Sequence, residues 1–285
     1  MRNLFITIIL GFGLASCEQE LPTDSIDFSD KMVVNLLATN DDIIKVHIGK
    51  TLALNDSTAE EKIEDAQVQI IDENANSSTL PYTFLYDGKY ISDFIPKPQH
   101  TYKLVVQHPK YPNVTSSFRI PSIFKQVAAK WQDSTDLDSM GFPTGTISFK
   151  INDAVDDRNF YEVSLFRFEP LGPSWDVMPV IPENPEIAAD PTFNEAGALL
   201  LEDAGFNGEQ KELRFSTPFG SSFGSPYKFL VVVKNLSSEY YKYFKSIEDY
   251  RVEGGLFSDP SSIFNNITGG VGICAGASVT KDTIQ

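Results

Sequence analysis

Ser222 is the residue whose neighbours most resemble a catalytic motif. Residues 220–224 read Gly-Ser-Ser-Phe-Gly and match Gly-x-Ser-x-Gly, in which the central serine is the nucleophile of an acyl-transfer enzyme. That motif needs a strand before the serine and a helix after it, whereas here Pro218 precedes it and a strand pattern begins near Tyr227. The sequence offers no residue that can be assigned as the general base for this serine. We therefore interpret the segment as a turn, expect no enzymatic activity and assign no catalytic residue.

Cys17 stands at a spacing that suits lipid attachment. A basic start at Arg2 is followed by a run from Leu4 to Gly13 without a charge, and then by Leu-Ala-Ser directly before Cys17. This order resembles a bacterial lipobox, in which the thiol is acylated with chains such as palmitate. The apolar run is too short to span a bilayer, which takes about 20 residues. We predict a lipoprotein signal peptide at residues 1–16 and lipidation of Cys17; an ordinary signal peptide with an incidental cysteine is the alternative.

Charge and cysteine content exclude several classes of protein. The formal net charge is −16 and the pI is about 4.5, so nucleic acid phosphates would repel the chain. The sequence contains two cysteines. If Cys17 carries lipid, Cys274 has no partner and no disulfide can form within the chain. We expect stability to come from apolar burial and hydrogen bonds alone.

Metal-binding patterns are weak in this sequence. The histidines at 47, 100 and 108 have no zinc spacing. Two acidic clusters, Asp133/Asp136/Asp138 and Asp153/Asp156/Asp157, lack the glycine and final glutamate of an EF-hand loop. We predict no metal site and no cofactor, and leave open whether either acidic loop binds calcium.

Short alternating strands dominate residues 31–121. Ile44, Val46 and Ile48 fall on one face of a strand, and Asp87-Gly88 is a hairpin signal because both positions tolerate a positive φ. Several such strands separated by turns predict an Ig-like antiparallel β-sandwich domain over 31–121. The acidic residues 17–30 before it predict a flexible tether, which is either a surface-export signal or a plain linker.

Residues 122–285 predict a second β-rich domain that begins after Pro121. A helix is predicted near 237–251, with a serine cap and with Tyr240, Phe244 and Ile247 at helical spacing against a sheet. The glycines of 269–276 indicate close backbone approach at a sheet edge or bulge, and Cys274 among them reads as a small buried residue.

Two segments of the second half predict loops that carry aromatic residues. Residues 169–196 are rich in proline, and residues 220–226 are rich in glycine and serine. Aromatic side chains in loops often anchor interfaces. We therefore predict partner or ligand contacts at four residues: Trp175, Phe193, Phe219 and Phe223. The alternative is that each packs onto its own sheet.

A series of short motifs resembles one known family. It includes "Val-Val-Asn-Leu-Leu" at 33–37, "Ala-Gln-Val-Gln-Ile" at 66–70, "Phe-Arg-Ile-Pro" at 118–121 and "Phe-Asn-Asn-Ile-Thr-Gly-Gly-Val-Gly-Ile" at 264–273. Together they resemble the Bacteroidota-type lipoprotein family labelled domain of unknown function 4249, from about Lys31 to Gly276. Where a large aromatic residue commonly follows the final Gly-Ile, this chain has Cys274.

The resemblance implies a setting but no active-site residues. The family is similar in setting to accessory lipoproteins that accompany TonB-dependent outer-membrane barrels. We accordingly expect an outer-membrane, lipid-anchored, cell-surface protein that is a partner or SusD-like lid of such a transporter in substrate capture. The alternatives are an independent glycan- or peptide-binding module and a scaffolding subunit of envelope assembly machinery.

Overall fold

The computed structural model describes residues 30–53, 61–73, 77–123, 127–141, 143–153, 158–169, 174–189, 191–194, 196–217, 228–253 and 262–284. Residues 31–285 cluster as one compact unit. The predicted signal peptide, Cys17 and residues 18–29 of the predicted tether lie outside the described residues, as do Ser222, Phe219 and Phe223.

Within the described residues the chain forms eighteen strands and two α-helices. The strands are β1 (Met32–Thr39), β2 (Lys45–Lys50), β3 (Gln67–Asp72), β4 (Ser77–Leu80), β5 (Tyr82–Thr83), β6 (Lys89–Ile91), β7 (Thr101–His108), β8 (Tyr111–Arg119), β9 (Val127–Leu137), β10 (Pro143–Asn152), β11 (Phe160–Glu169), β12 (Ser174–Met178), β13 (Ile181–Pro182), β14 (Thr192–Phe193), β15 (Leu199–Glu202), β16 (Gln210–Thr217), β17 (Phe229–Leu236) and β18 (Val271–Ile284). The helices are α1 (Pro185–Ala188) and α2 (Ser238–Glu253), and short 3₁₀ turns occupy Phe84–Tyr86 and Asp203–Gly205.

Three sheets contain these strands. The ten-stranded central sheet has the order β14-β15-β11-β17-β18-β1-β2-β6-β5, with β12 also paired to β11. Its strands pair antiparallel except for β1 and β18, which are parallel. The N-terminal sheet has the order β4-β3-β7-β8, and the C-terminal sheet has the order β13-β16-β10-β9. The predicted mainly β fold with sandwiched antiparallel sheets is confirmed.

Both smaller sheets cover the same face of the central sheet. Cys274 belongs to the core under the N-terminal sheet, and Ile284 belongs to the core under the C-terminal sheet. Both are even-numbered positions of β18, and alternate residues of a strand share a face. Ile273, Ala275 and Ala277 face the other way and form a third apolar cluster with Tyr240 of α2. Helix α2 therefore packs on the face opposite the two cores.

The two hydrophobic cores lie mostly on opposite sides of Pro121 in the sequence, but the central sheet contains strands from both sides. The first core consists of residues between Met32 and Ile120, joined by Ile267 and Cys274 of the C-terminal half. The central sheet, however, takes strands from both sides of Pro121 through the pairing of β1 with β18. The segment predicted as an Ig-like domain thus shares its central sheet with the segment that follows it.

Local sequence signals account for several elements. Ile44, Val46 and Ile48 are fully buried, as their alternation predicts. Asp87 and Gly88 have φ values of 56° and 65°, and they close the hairpin between β5 and β6. Helix α2 confirms the predicted helix.

The cap of α2 lies where the sequence places it. Ser237 Oγ accepts a hydrogen bond from the Tyr240 backbone N–H at 3.3 Å. The first turn of the helix is thereby fixed to the end of β17. No helix among the described residues is both long and apolar enough to cross a membrane.

The predicted long loop at 169–196 is wrong in part. Ser174–Met178 forms β12 against β11, and β13, α1 and β14 follow within the same segment. Among the described prolines of this segment, Pro179 and Pro191 lie between elements, and Pro185 is the first residue of α1. Pro182 lies in a strand that is paired on one side only among the described residues. Proline is tolerated at such positions because an edge strand needs fewer backbone donors.

Candidate binding surface

An apolar surface faces outward where β11, β12 and β17 meet. We call it the outer patch and define it by five side chains: Phe166, Phe168, Trp175, Val177 and Leu230. In the sheet register Phe166 lies opposite both Val177 and Leu230, and Phe168 lies opposite Trp175. Directly paired residues share a face. Their strand neighbours Leu165, Met178 and Val231 point into the second core, so the patch points away from it.

The patch presents its side chains to solvent. Trp175 is 38% exposed and Val177 is 61% exposed, while Phe166, Phe168 and Leu230 are half-buried. The Trp175 and Phe168 rings meet edge to face with centroids 5.3 Å apart. Such a pair is stabilising beyond its buried area and holds the indole in place. The patch is therefore a preformed aromatic surface.

Polar groups border this surface. The Lys228 ammonium lies 6.0 Å from the centroid of the Phe168 ring, within the range of a cation–π interaction. Ser174 Oγ donates a hydrogen bond to Asp176 Oδ1 at 3.1 Å. An apolar centre with charged and hydroxyl groups at its edge is typical of protein-binding surfaces.

The structure separates the aromatic residues singled out by sequence. Trp175 lies in the outer patch, whereas Phe193 packs against the second core. Phe193 pairs with Leu199, which pairs with core residue Val163, so Phe193 and Trp175 lie on opposite faces of the central sheet. Phe193 thus packs onto its own sheet, which was the alternative to partner contact. Phe219 and Phe223 lie outside the described residues.

Four residues of the outer patch were missed by sequence analysis. The alternation of β11 places Phe166 and Phe168 on one face and could have indicated two of them. Val177 and Leu230 join them only through strand register, which the sequence does not reveal.

A buried ion pair lies under α2. Lys234 Nζ is 2.6 Å from Glu162 Oε1, and Glu162 is 2% exposed. Asn194 Nδ2 donates to Glu162 Oε2 at 3.0 Å, and the Tyr240 hydroxyl lies 3.4 Å from the same oxygen. The polar atoms of Glu162 are thus satisfied, so the cluster fixes α2 to the sheet.

The same cluster shifts the pKa values of its members. Burial alone would lower the pKa of Lys234, but the adjacent Glu162 carboxylate outweighs it and the pKa is raised above its usual value. Burial, followed by the charge of Glu162, raises the pKa of Tyr240 to about 12. Both groups therefore keep their protons at neutral pH, and neither is poised for proton transfer.

The described cysteine and histidine side chains lie in structural contacts. Cys274 is fully buried, and burial raises the pKa of its thiol to about 12. His108 and His100 each contact one carboxylate, Asp65 at 3.0 Å and Asp72 at 2.9 Å. Within the part of the chain that the structure describes, no three His, Cys, Asp or Glu side chains are grouped to hold a metal ion.

A polar cleft of about 440 Å³ lies between the two halves of the chain. Arg119 and Arg158 contribute guanidinium groups, and the first turn of α2 contributes Glu239. Arg158 is paired with Glu202, so two carboxylates offset the two cations. Because its charges are balanced, we assign this cleft no ligand.

Comparison with protein-family models identifies a family for this chain. A family model with the description "Domain of unknown function (DUF4249)" matches residues 18–283, nearly the whole chain. No curated protein matches the chain.

Proposed function

The chain belongs to the DUF4249 family, and from this premise we propose that it is a lipid-anchored, non-enzymatic accessory protein of the outer membrane. In this role it binds a β-barrel transporter of the TonB-dependent type and assists substrate capture. The observation that carries the proposal is the outer patch, a preformed aromatic surface that no other part of the described chain covers.

The composition of the patch supports binding to a protein. Tryptophan, phenylalanine and other large side chains dominate binding energy when they are buried at the centre of an interface. Trp175 is ordered by Phe168 before any partner arrives, so little side-chain entropy is lost on binding. Exposing such a patch to water is unfavourable for a monomer, and exposed apolar patches commonly mark interaction sites.

The predicted anchor supports a partner in the same membrane. Acylation of Cys17 would confine the body to the membrane surface and raise its effective concentration near a barrel. A modest interface would then suffice, because the second contact forms between molecules already held together.

Affinity capture tests the proposal. The tagged, acylated chain is purified from detergent-solubilised outer membranes and compared with Trp175→Ala and with the control Leu137→Ala, which alters a 63% exposed side chain of the C-terminal sheet. A central anchor contributes about 2 kcal/mol or more, so affinity falls about 30-fold. We expect the barrel to be lost with Trp175→Ala and kept with Leu137→Ala.

Two results would contradict the proposal. One is recovery of no barrel protein with the unaltered chain. The other is equal recovery with both variants, which would show that the partner binds elsewhere.

A glycan- or peptide-binding module is the second candidate. The exposed indole of Trp175 offers a face for a sugar ring, and β12 pairs only with β11 among the described residues, which leaves an edge for an added strand. This candidate predicts that the chain binds a glycan or peptide without any barrel, in calorimetry, and that Trp175→Ala removes the binding.

A further inference from the structure

The 3₁₀ turn between β5 and β6 exposes large apolar side chains. We call Phe84–Tyr86 the apolar tip. Phe84 is 75% exposed, Leu85 is 90% exposed and Tyr86 is 41% exposed. Three consecutive side chains of this kind at the end of a hairpin are unfavourable in water unless something covers them.

Polar contacts hold the tip in this exposed conformation. Thr83 Oγ1 accepts a hydrogen bond from the Leu85 backbone N–H at 3.2 Å, which caps the turn. Asp87 and Gly88 both have positive φ, and the Lys62 ammonium donates to the Asp87 carbonyl at 2.8 Å. The exposure of the tip is thus built into the fold.

The tip lies at the end of the central sheet where the folded body begins. Met32 pairs with Lys50 at the end of β2, and the Thr51 N–H donates to the Lys31 carbonyl at 3.0 Å. At the same end, Lys62 bridges Gly49 with its backbone and contacts Asp87, beside the tip, with its side chain. Strands β1 and β5 are three strand spacings apart, about 14 Å.

The tether is long enough to bring this end to the membrane. Thirteen residues separate Cys17 from Lys31. At about 3.3–3.6 Å per residue they reach at most about 45 Å, several times the lateral distance from β1 to the tip. A lipid on Cys17 would therefore leave enough chain for the tip to reach the bilayer.

The surroundings of the tip suit a lipid surface. Lys45 Nζ lies 5.2 Å from the centroid of the Tyr86 ring and also pairs with Asp42 Oδ2 at 2.6 Å. Lys31 and Lys89 have no ion-pair partner among the described residues, although the chain as a whole carries a charge of −16. Tyrosine and lysine beside apolar side chains are typical of segments at the level of the lipid headgroups.

We propose that the apolar tip inserts into the interfacial layer of the membrane that holds the acylated Cys17. This inference rests on the lipid anchor of the proposed function and adds a second, protein-borne membrane contact. Two contacts fix an orientation of the body relative to the membrane, whereas a lipid at the end of a tether limits only the distance between them.

The orientation places the outer patch away from the membrane. Strand β18 runs from Val271, near the tip end, to Ile284, which pairs with Phe229; Phe229 in turn pairs with Arg167 beside the patch. Fourteen residues of extended strand cover roughly 45 Å. The outer patch would then contact the parts of the partner that lie outside the bilayer.

Site-specific labelling of the acylated full chain tests the insertion. Leu85→Cys carries an environment-sensitive fluorophore, and the control is Met140→Cys, whose side chain is 77% exposed between β9 and β10. Cys274 is fully buried and the Cys17 thiol is blocked by its acyl group, so labelling is confined to the new cysteine. The probe membranes are vesicles of phosphatidylethanolamine and phosphatidylglycerol, with and without nitroxide-bearing lipids.

We expect the label at 85 to shift to the blue and to lose about half or more of its emission to the nitroxides, because an interfacial segment lies about 5–10 Å deep. The label at 140 should keep its aqueous spectrum. Flotation of the vesicles reports the anchor separately.

The possible outcomes distinguish the lipid anchor from the insertion of the apolar tip. If the chain floats while the label at 85 stays aqueous, the insertion is overturned and the anchor stands. If the acylated chain does not float, both are overturned. A shift at 85 in native outer membranes but not in vesicles would assign the tip to a protein partner and overturn the lipid contact.

Discussion

Replacing Gly272 by alanine should destabilise the whole fold, because this glycine lies where β18 meets β1. Its φ is 124°, and an added Cβ would lie 2.1 Å from the Val34 carbonyl oxygen. A side chain at such a φ costs about 1–3 kcal/mol. The added methyl group would also push β18 and β1 apart by about 1 Å, and overpacking of this kind costs about 1–3 kcal/mol more. The sum, about 2–6 kcal/mol, is a large part of a typical stability of 5–15 kcal/mol.

Two control variants separate strain from steric overlap. Gly141 has a φ of 81° with no atom within 4 Å of an added Cβ, so Gly141→Ala carries the strain alone. Gly276 has no positive φ, but an added Cβ would lie 2.3 Å from the Arg119 carbonyl oxygen, so Gly276→Ala carries the overlap alone.

Urea unfolding followed by circular dichroism gives the free energies. We expect losses of about 1–3 kcal/mol for each control and roughly their sum for Gly272→Ala. A Gly272→Ala protein as stable as Gly141→Ala would refute the close approach of β18 to β1.

Three further predictions concern buried groups. Lys234→Met leaves the Glu162 carboxylate buried without a cation and should cost about 3–5 kcal/mol in urea unfolding, with partial rescue by Glu162→Gln. The Cys274 thiol, whose pKa burial raises to about 12, should not react with a thiol reagent at pH 8 until the chain is unfolded. Burial also raises the pKa of Tyr90 and Tyr240 to about 12 each. Because these values lie above the unfolded value of 10, the stability they contribute is complete below pH 10 and is lost as the pH rises to about 12, which absorbance at 295 nm and unfolding curves can follow.

Features set by neighbouring residues were predictable from sequence. The alternation of Ile44, Val46 and Ile48 gives the buried face of β2 and of the residue just before it, and the Asp87-Gly88 pair gives the hairpin between β5 and β6. The serine before α2 caps it because the hydroxyl reaches a backbone N–H only three residues away. The glycines of 269–276 were interpreted as close-approach positions, and Gly272 and Gly276 meet the backbones of β1 and β8, inside the molecule rather than at a sheet edge.

Features set by distant residues were not predictable in this way. The parallel pairing of Leu36 with Cys274 joins residues far apart in sequence, and no local pattern encodes it. That pairing makes the central sheet continuous across Pro121. The outer patch depends on register for the same reason: Trp175 joins Phe168 and faces away from Phe193 because of how β12 and β14 pair.

Both proposals rest on the lipid anchor, and intact mass spectrometry of the mature chain from purified outer membranes determines whether Cys17 carries it. We expect a chain that begins at Cys17 and carries the added mass of acyl groups on that residue. A chain with an unmodified Cys17 thiol, or one released into the medium with a different first residue, would contradict it.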